Sequence, residues 1–156
     1  MKRITIDKKE YIIEFSIEAT LYNECTEKIM DMITTVGVTQ ATLESDDVSN
    51  DDKTDKAIKA VISNTADIPQ RALTLFYAGL LEHHGADNGD GSVRSKNDAK
   101  RLLTTYLREN EGKSLYDVMN EMTEEIINDH FFEMIGVDKV MNKANQQFEE
   151  VTEIHE

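Results

Sequence analysis

The residues of this chain whose types and spacing could do chemistry lie in one short loop and at three isolated places. The loop is Ala86-Asp87-Asn88-Gly89-Asp90-Gly91-Ser92-Val93, set between apolar stretches of helical period. Laid on the twelve-residue calcium loop of an EF-hand, Asn88, Asp90, Gly91 and Val93 take the third, fifth, sixth and eighth positions. The ends depart from that pattern, because Ala86 stands where an acid is needed and Asn97 where the bidentate Glu is needed. With two strong oxygen ligands missing, the stretch reads as a Gly- and Asp-rich turn between helices, and Asn88, Asp90 and Ser92 are its only candidate cation ligands. His83 and His84 are adjacent on a helix and point in different directions, so they do not share a metal. Cys25 is the single cysteine and lies on an apolar helical stripe, the setting of a buried and inert thiol. Glu124 and Glu125 face two directions on a helix, and no P-loop, Rossmann glycine pattern, GxSxG or HExxH is present. These residues imply no catalytic centre, no cofactor and no metal.

The elements that would position them follow from periodicity. Ile4 and Ile6 share a face of one strand, and Tyr11, Ile13 and Phe15 share a face of the next after the polar Asp7-Lys8-Lys9-Glu10, which predicts a β-hairpin. A lone hairpin is unstable, so its apolar face must rest on a helix. From Ile17 the period changes: Leu21, Tyr22, Cys25, Ile29, Met32, Ile33 and Val36 predict one amphipathic helix, with Ser16 as N-cap and Gly37 as stop. Residues 44–55 hold six acids and one apolar residue, Val48, and read as a mobile linker. Ala57, Ile58, Val61 and Ile62 predict a short helix. Pro69 then suits a first helical position and Gly85 a C-terminal cap for a helix whose Leu73, Leu75, Phe76, Tyr77, Ala78, Leu80 and Leu81 are apolar nearly all round.

Ser95 opens a helix carrying Ala99, Leu102, Leu103, Tyr106 and Leu107, with Lys96, Lys100, Arg101 and Arg108 on its polar side. Ser114 opens another that runs through Phe131 and Phe132 to Gly136. In the last helix Val137, Ala144 and Val151 repeat every seven residues, flanked by Val140, Met141, Phe148 and Ile154. The expected fold is mainly α, an N-terminal hairpin packed on a bundle of about five to six helices, at a length that suits one domain. Within it, 1–43 form the hairpin and first helix, 44–55 the linker, 56–136 the helical body and 137–156 the C-terminal helix.

Seventeen Lys and Arg against 31 Asp and Glu give a net charge of −14. That balance disfavours nucleic acid and anionic membrane as partners. No apolar run approaches the roughly 18 residues of a membrane span, and the first residues lack a signal-peptide pattern, so the reading is cytosolic. The charge is uneven: residues 69–110 carry 6 basic and 5 acidic groups, whereas 111–156 carry 3 and 12. An acidic, amphipathic carboxy-terminal third is therefore the first place to look for a partner.

The opening MKRITIDKKEYIIEFSIEA, with the apolar IPQRALTLFYAGLLEHH and the stretch SLYDVMNEMTEEIIND, resembles the tail assembly chaperones of long-tailed bacteriophages and prophages of Gram-positive bacteria. Where that family usually has a glycine in the hairpin turn, this chain has Lys8-Lys9. The resemblance implies a non-catalytic helper in the cytoplasm of the infected cell. It would bind the tape measure protein, keep it soluble, help recruit major tail (tube) subunits around it, and be absent from the finished virion. Such proteins also occur in longer, frameshifted forms.

A client or self-association surface drawn from this reading comprises Val137, Val140, Met141, Ala144, Phe148, Val151 and Ile154, joined by Leu75, Phe76 and Leu80; the competing role is internal core, which the all-round apolar Leu73–Leu81 helix favours. Six of the Met residues, on or near apolar faces, would suit either role. Two other classes compete. An acidic DNA-mimic inhibitor of a host nucleic-acid-binding protein would need carboxylates spaced like phosphates over a folded face, and a calcium-dependent helical sensor would need the 86–97 loop to bind its ion.

Overall fold

The computed structural model describes residues 1–32, 50–140 and 142–143, with the backbone alone for 50–64. Strands β1 (Lys2–Ile6) and β2 (Lys9–Ile13) form an antiparallel hairpin with Ile4 opposite Tyr11 and Ile6 opposite Lys9. The connection is therefore the two residues Asp7 and Lys8, shorter than the four-residue polar stretch of the sequence suggests. Both have positive φ, 49° and 63°, the signature of the turn whose twist matches a hairpin. A side chain costs energy in that region, and the Glu109 carboxylate offsets it by accepting the Asp7 N–H at 3.0 and 3.1 Å.

One face of the hairpin, Ile4, Ile6, Tyr11 and Ile13, is buried together with Phe15, as the alternation predicts. It lies against α3 (Asn50–His84), a helix of 35 residues. The approach is close. A Cβ on Gly79 of α3 would sit 2.7 Å from the Ile13 side chain, and the Gly79 carbonyl accepts the Glu14 N–H at 2.8 Å. Glycine at this place lets the strand's exit reach the helix backbone.

The path of α3 corrects two expectations. Residues 50–55, assigned to a linker, are helical, while 44–49 lie outside the described residues. Pro69 lies inside the helix instead of at its start, and the short helix around Ala57–Ile62 and the apolar one after Pro69 are a single element. An internal proline lacks one helical donor, yet the turns after it are anchored: Ala72, Leu75, Phe76, Ala78 and Leu80 are fully buried, and tertiary packing of this kind overrides local propensity.

The first helix is also two elements. Ser16 caps α1 (Ile17–Leu21) by accepting the Glu18 N–H, but the chain turns extended at Tyr22 before α2 (23–32) begins. The Tyr22 ring packs edge-on against Tyr77 at 5.3 Å and its hydroxyl donates to Glu24, which fixes the break. As a result Cys25 and Ile29 enter the core while Leu21, predicted on the same stripe, is 69% exposed. Ile33, Val36 and Gly37 lie outside the described residues.

Helices α4 (Lys96–Glu109) and α5 (Leu115–Asn128) start where their serines predict, Ser95 accepting from Asp98 and Ser114 forming a reciprocal capping box with Asp117. Both pack on α3. The expected run of α5 through Phe131 to Gly136 is interrupted at His130, whose backbone is left-handed (φ 57°), and α6 (Phe131–Ile135) follows. The break has a tertiary cause: the Asp129 carboxylate accepts the Phe15 N–H at 2.9 Å, and Phe131 turns inward, edge-on to Phe15 at 6.1 Å. Past Gly136 the chain is helical again over 137–140 and 142–143. The fold is thus mainly helical with an N-terminal hairpin, as expected.

Candidate functional site

The glycine-rich loop after α3 caps that helix. Its backbone turns back so that the N–H groups of Asp90 and Val93 donate to the carbonyls of His83 and His84 at 2.9 and 2.8 Å, and those of Gly89 and Gly91 to the Gly85 carbonyl. These bonds satisfy carbonyls that a helix end leaves open. The side chains offered as cation ligands have partners of their own. One Asp90 oxygen accepts the Ser92 hydroxyl and, at 2.8 Å, the Ser92 N–H; the other lies 3.2 Å from His84 Nδ1 and 3.6 Å from Lys9 Nζ. Ser92 first, and His84 after it, hold the Asp90 carboxyl well below the usual carboxylate range. Asn88 instead donates to Glu18 at 2.8 Å. Asn88, Asp90 and Ser92 are therefore tied into the α1, α3 and β2 surroundings, and among the described residues no three metal-binding side chains gather.

His83 and His84 separate as their adjacency predicts. His83 Nε2 meets Glu14, half-exposed, whereas the buried His84 accepts the Ile12 N–H at Nε2 (2.9 Å). Because Nε2 accepts, Nδ1 carries the proton toward Asp90. Cys25 is fully buried, and burial pushes its thiol up to about 12.

Of the residues proposed as partner surface, Leu75, Phe76 and Leu80 are 0% exposed, packed in the core with the hairpin and α4. They present nothing to a partner in this arrangement; an all-round apolar helix here is the central helix of the bundle. Val137 is half-buried and Val140 is 69% exposed, while Met141, Ala144, Phe148, Val151 and Ile154 lie outside the described residues.

Other apolar side chains surface in the same acid-rich third. Tyr116 is 53%, Ile127 61% and Met134 43% exposed, with the exposed carboxylates Glu124 and Glu133 close by in sequence. A small apolar pocket of about 60 Å³ lies between Ile29 and Met32 of α2, Ile126 of α5 and Phe132 of α6. Ile127 follows the buried Ile126 yet faces outward, because the inward stripe of α5 is Val118, Met119, Met122 and Ile126.

Three acidic residues that position the hairpin have no signature in the sequence. Glu109 caps its turn, Asp129 receives Phe15, and Glu121 gathers Lys2 (3.0 Å), the Tyr106 hydroxyl (3.2 Å) and Lys113. Burial alone would raise the Glu121 carboxyl, but the hydrogen bonds from Lys113 and Lys2 outweigh it and hold the group below its ordinary range. Each is an acid on a helix or at its C-terminal cap, with a partner more than a hundred residues away, so only the assembled fold reveals its role.

Among the described residues no helix is long and apolar enough to cross a membrane. Comparison with protein-family models, with curated proteins and with solved structures finds no match to this chain.

Proposed function

We propose that the chain is a non-catalytic tail assembly chaperone of a long-tailed phage or prophage, acting in the host cytoplasm. In this reading it binds the tape measure protein, keeps that long helical client soluble and helps bring major tail (tube) subunits to it. The observation that carries the reading is the pairing of exposed apolar side chains with excess acid in one region. Ile127, Met134 and Val140 are exposed within 111–156, which holds 12 acidic and 3 basic groups. Apolar contacts of this kind can hold an aggregation-prone helix, and like charge on the outside keeps the complex apart from its neighbours. The hairpin that leads through Phe15 into the Ser16-capped α1 agrees with the architecture that the resemblance implies.

The test in the biological setting is deletion of the gene from the phage that carries it. Lysates of the deletion strain should contain filled heads without tails, restored by the gene in trans; normal tails in electron micrographs would contradict the proposal.

A further inference from the structure

The basic side of α4 borders an apolar groove on the opposite balance of charge from the acidic third. The groove, about 270 Å³, is lined by Pro69, Leu73, Leu103, Leu107 and Leu115, with Lys100 and Thr104 on its lip. It lies just below the range of whole small-molecule pockets, roughly 300–1,000 Å³, and suits one or two inserted aliphatic side chains better than a free ligand. Lys100, Thr104 and Arg108 follow at intervals of four along the exposed side of α4, with Arg101 beside them. Four other cations at the fold's surface have a carboxylate: Lys2 with Glu121, Arg3 with Glu10, Lys9 with Asp90, Lys96 with Glu24. Lys100, Arg101 and Arg108 make no ion pair among the described residues, although the chain carries 31 acids. Three carboxylates close in sequence to the groove or to Arg108 are already engaged, Asp67 with Arg71 at 3.5 Å, Glu109 with the hairpin turn and Asp117 with the Ser114 cap.

We propose that this groove is a docking site for an acidic amphipathic helix of a partner protein, which inserts aliphatic side chains between Leu73 and Leu107 and sets Asp or Glu against Lys100, Arg101 and Arg108. The combination selects its occupant by two independent features. Apolar insertion supplies contact area, and the free cations favour an acidic flank and repel a basic one. The groove uses none of Ile127, Met134 and Val140, the exposed residues of the proposed chaperone reading, and does not rest on it.

The probe is a synthetic amphipathic peptide of about 18 residues, long enough to hold a helix, with leucines on one stripe and glutamates beside it. A second peptide carries lysines in place of the glutamates. Fluorescence anisotropy against the full chain should show saturable binding of the acidic peptide, weakening with added salt, and none of the basic one. Lys100→Glu with Arg108→Glu should weaken binding about tenfold, since two attractive surface pairs become repulsive. Thr104→Trp, which fills the lip without altering charge, should abolish it. Unchanged circular dichroism and melting of both variants show that the fold is retained. Absence of binding, equal binding of the two peptides, or indifference to both variants overturns the proposal. Self-association that the acidic peptide displaces and that Lys100→Glu removes would overturn it in favour of a second copy as occupant.

Discussion

His84 accepts the backbone N–H of Ile12 through Nε2 at 2.9 Å, so the outer edge of β2 is fastened to the last turn of α3 by a buried imidazole. Just past it the Glu14 N–H reaches the Gly79 carbonyl, so two donors of an edge that would otherwise lie open are held by α3. His84→Ala leaves a buried donor unsatisfied and should cost about 1–3 kcal/mol in denaturant unfolding. His83→Ala, which removes only a half-exposed contact with Glu14, should cost no more than about 1 kcal/mol. Equal losses from the two would refute the assignment of the edge to His84.

The Asp7-Lys8 turn holds two side chains at positive φ. Lys8→Gly relieves that conformation and should raise stability by about 0.5–1 kcal/mol, read as an upward shift in the denaturant midpoint. A loss of stability would mean that Lys8 makes a contact the turn depends on.

Glu121 makes part of the fold's stability dependent on pH. Its carboxyl lies below its ordinary range in the folded chain, so its contribution is complete above the unfolded Glu value of about 4.3 and is lost as pH falls through the lower folded value. Glu121→Gln should therefore destabilise at pH 7, by about 1–2 kcal/mol, because Lys2 and Lys113 keep their charge without a partner. The difference between wild type and variant should shrink steadily below pH 4. A difference that stays constant to pH 2 would exclude the ion cluster as its source.

The Cys25 thiol is buried and pushed up to about 12, so little thiolate exists at neutral pH and none of it meets solvent. Labelling by a thiol reagent should coincide with global unfolding across a urea series. Rapid labelling of the native chain would show that α2 opens separately from the body.

Much of this architecture is legible in the residues themselves, and the exceptions share a cause. Alternation in Ile4–Ile6 and Tyr11–Phe15 specifies the hairpin's buried face, and Ser16, Ser95 and Ser114 mark helix starts because a side-chain oxygen there accepts an open backbone donor. The breaks at Tyr22 and His130 carry no local signal, since they are set by Tyr77 and by Phe15, far away in sequence. Pro69 signals a start that the packing of the following turns overrides. For the candidate surface, composition alone places Leu80 and Val140 together as apolar helix residues. Assembly separates them, one fully buried in the central helix and the other 69% exposed.

The most direct test of the chaperone account is co-expression with the tape measure protein of the same phage or prophage, measuring the client in the soluble fraction. The account predicts that the client is soluble with this chain and aggregates without it, and that Ile127→Asp with Val140→Asp reduces its solubility while the variant keeps its own melting temperature. Equal client solubility with and without the chain would contradict the account.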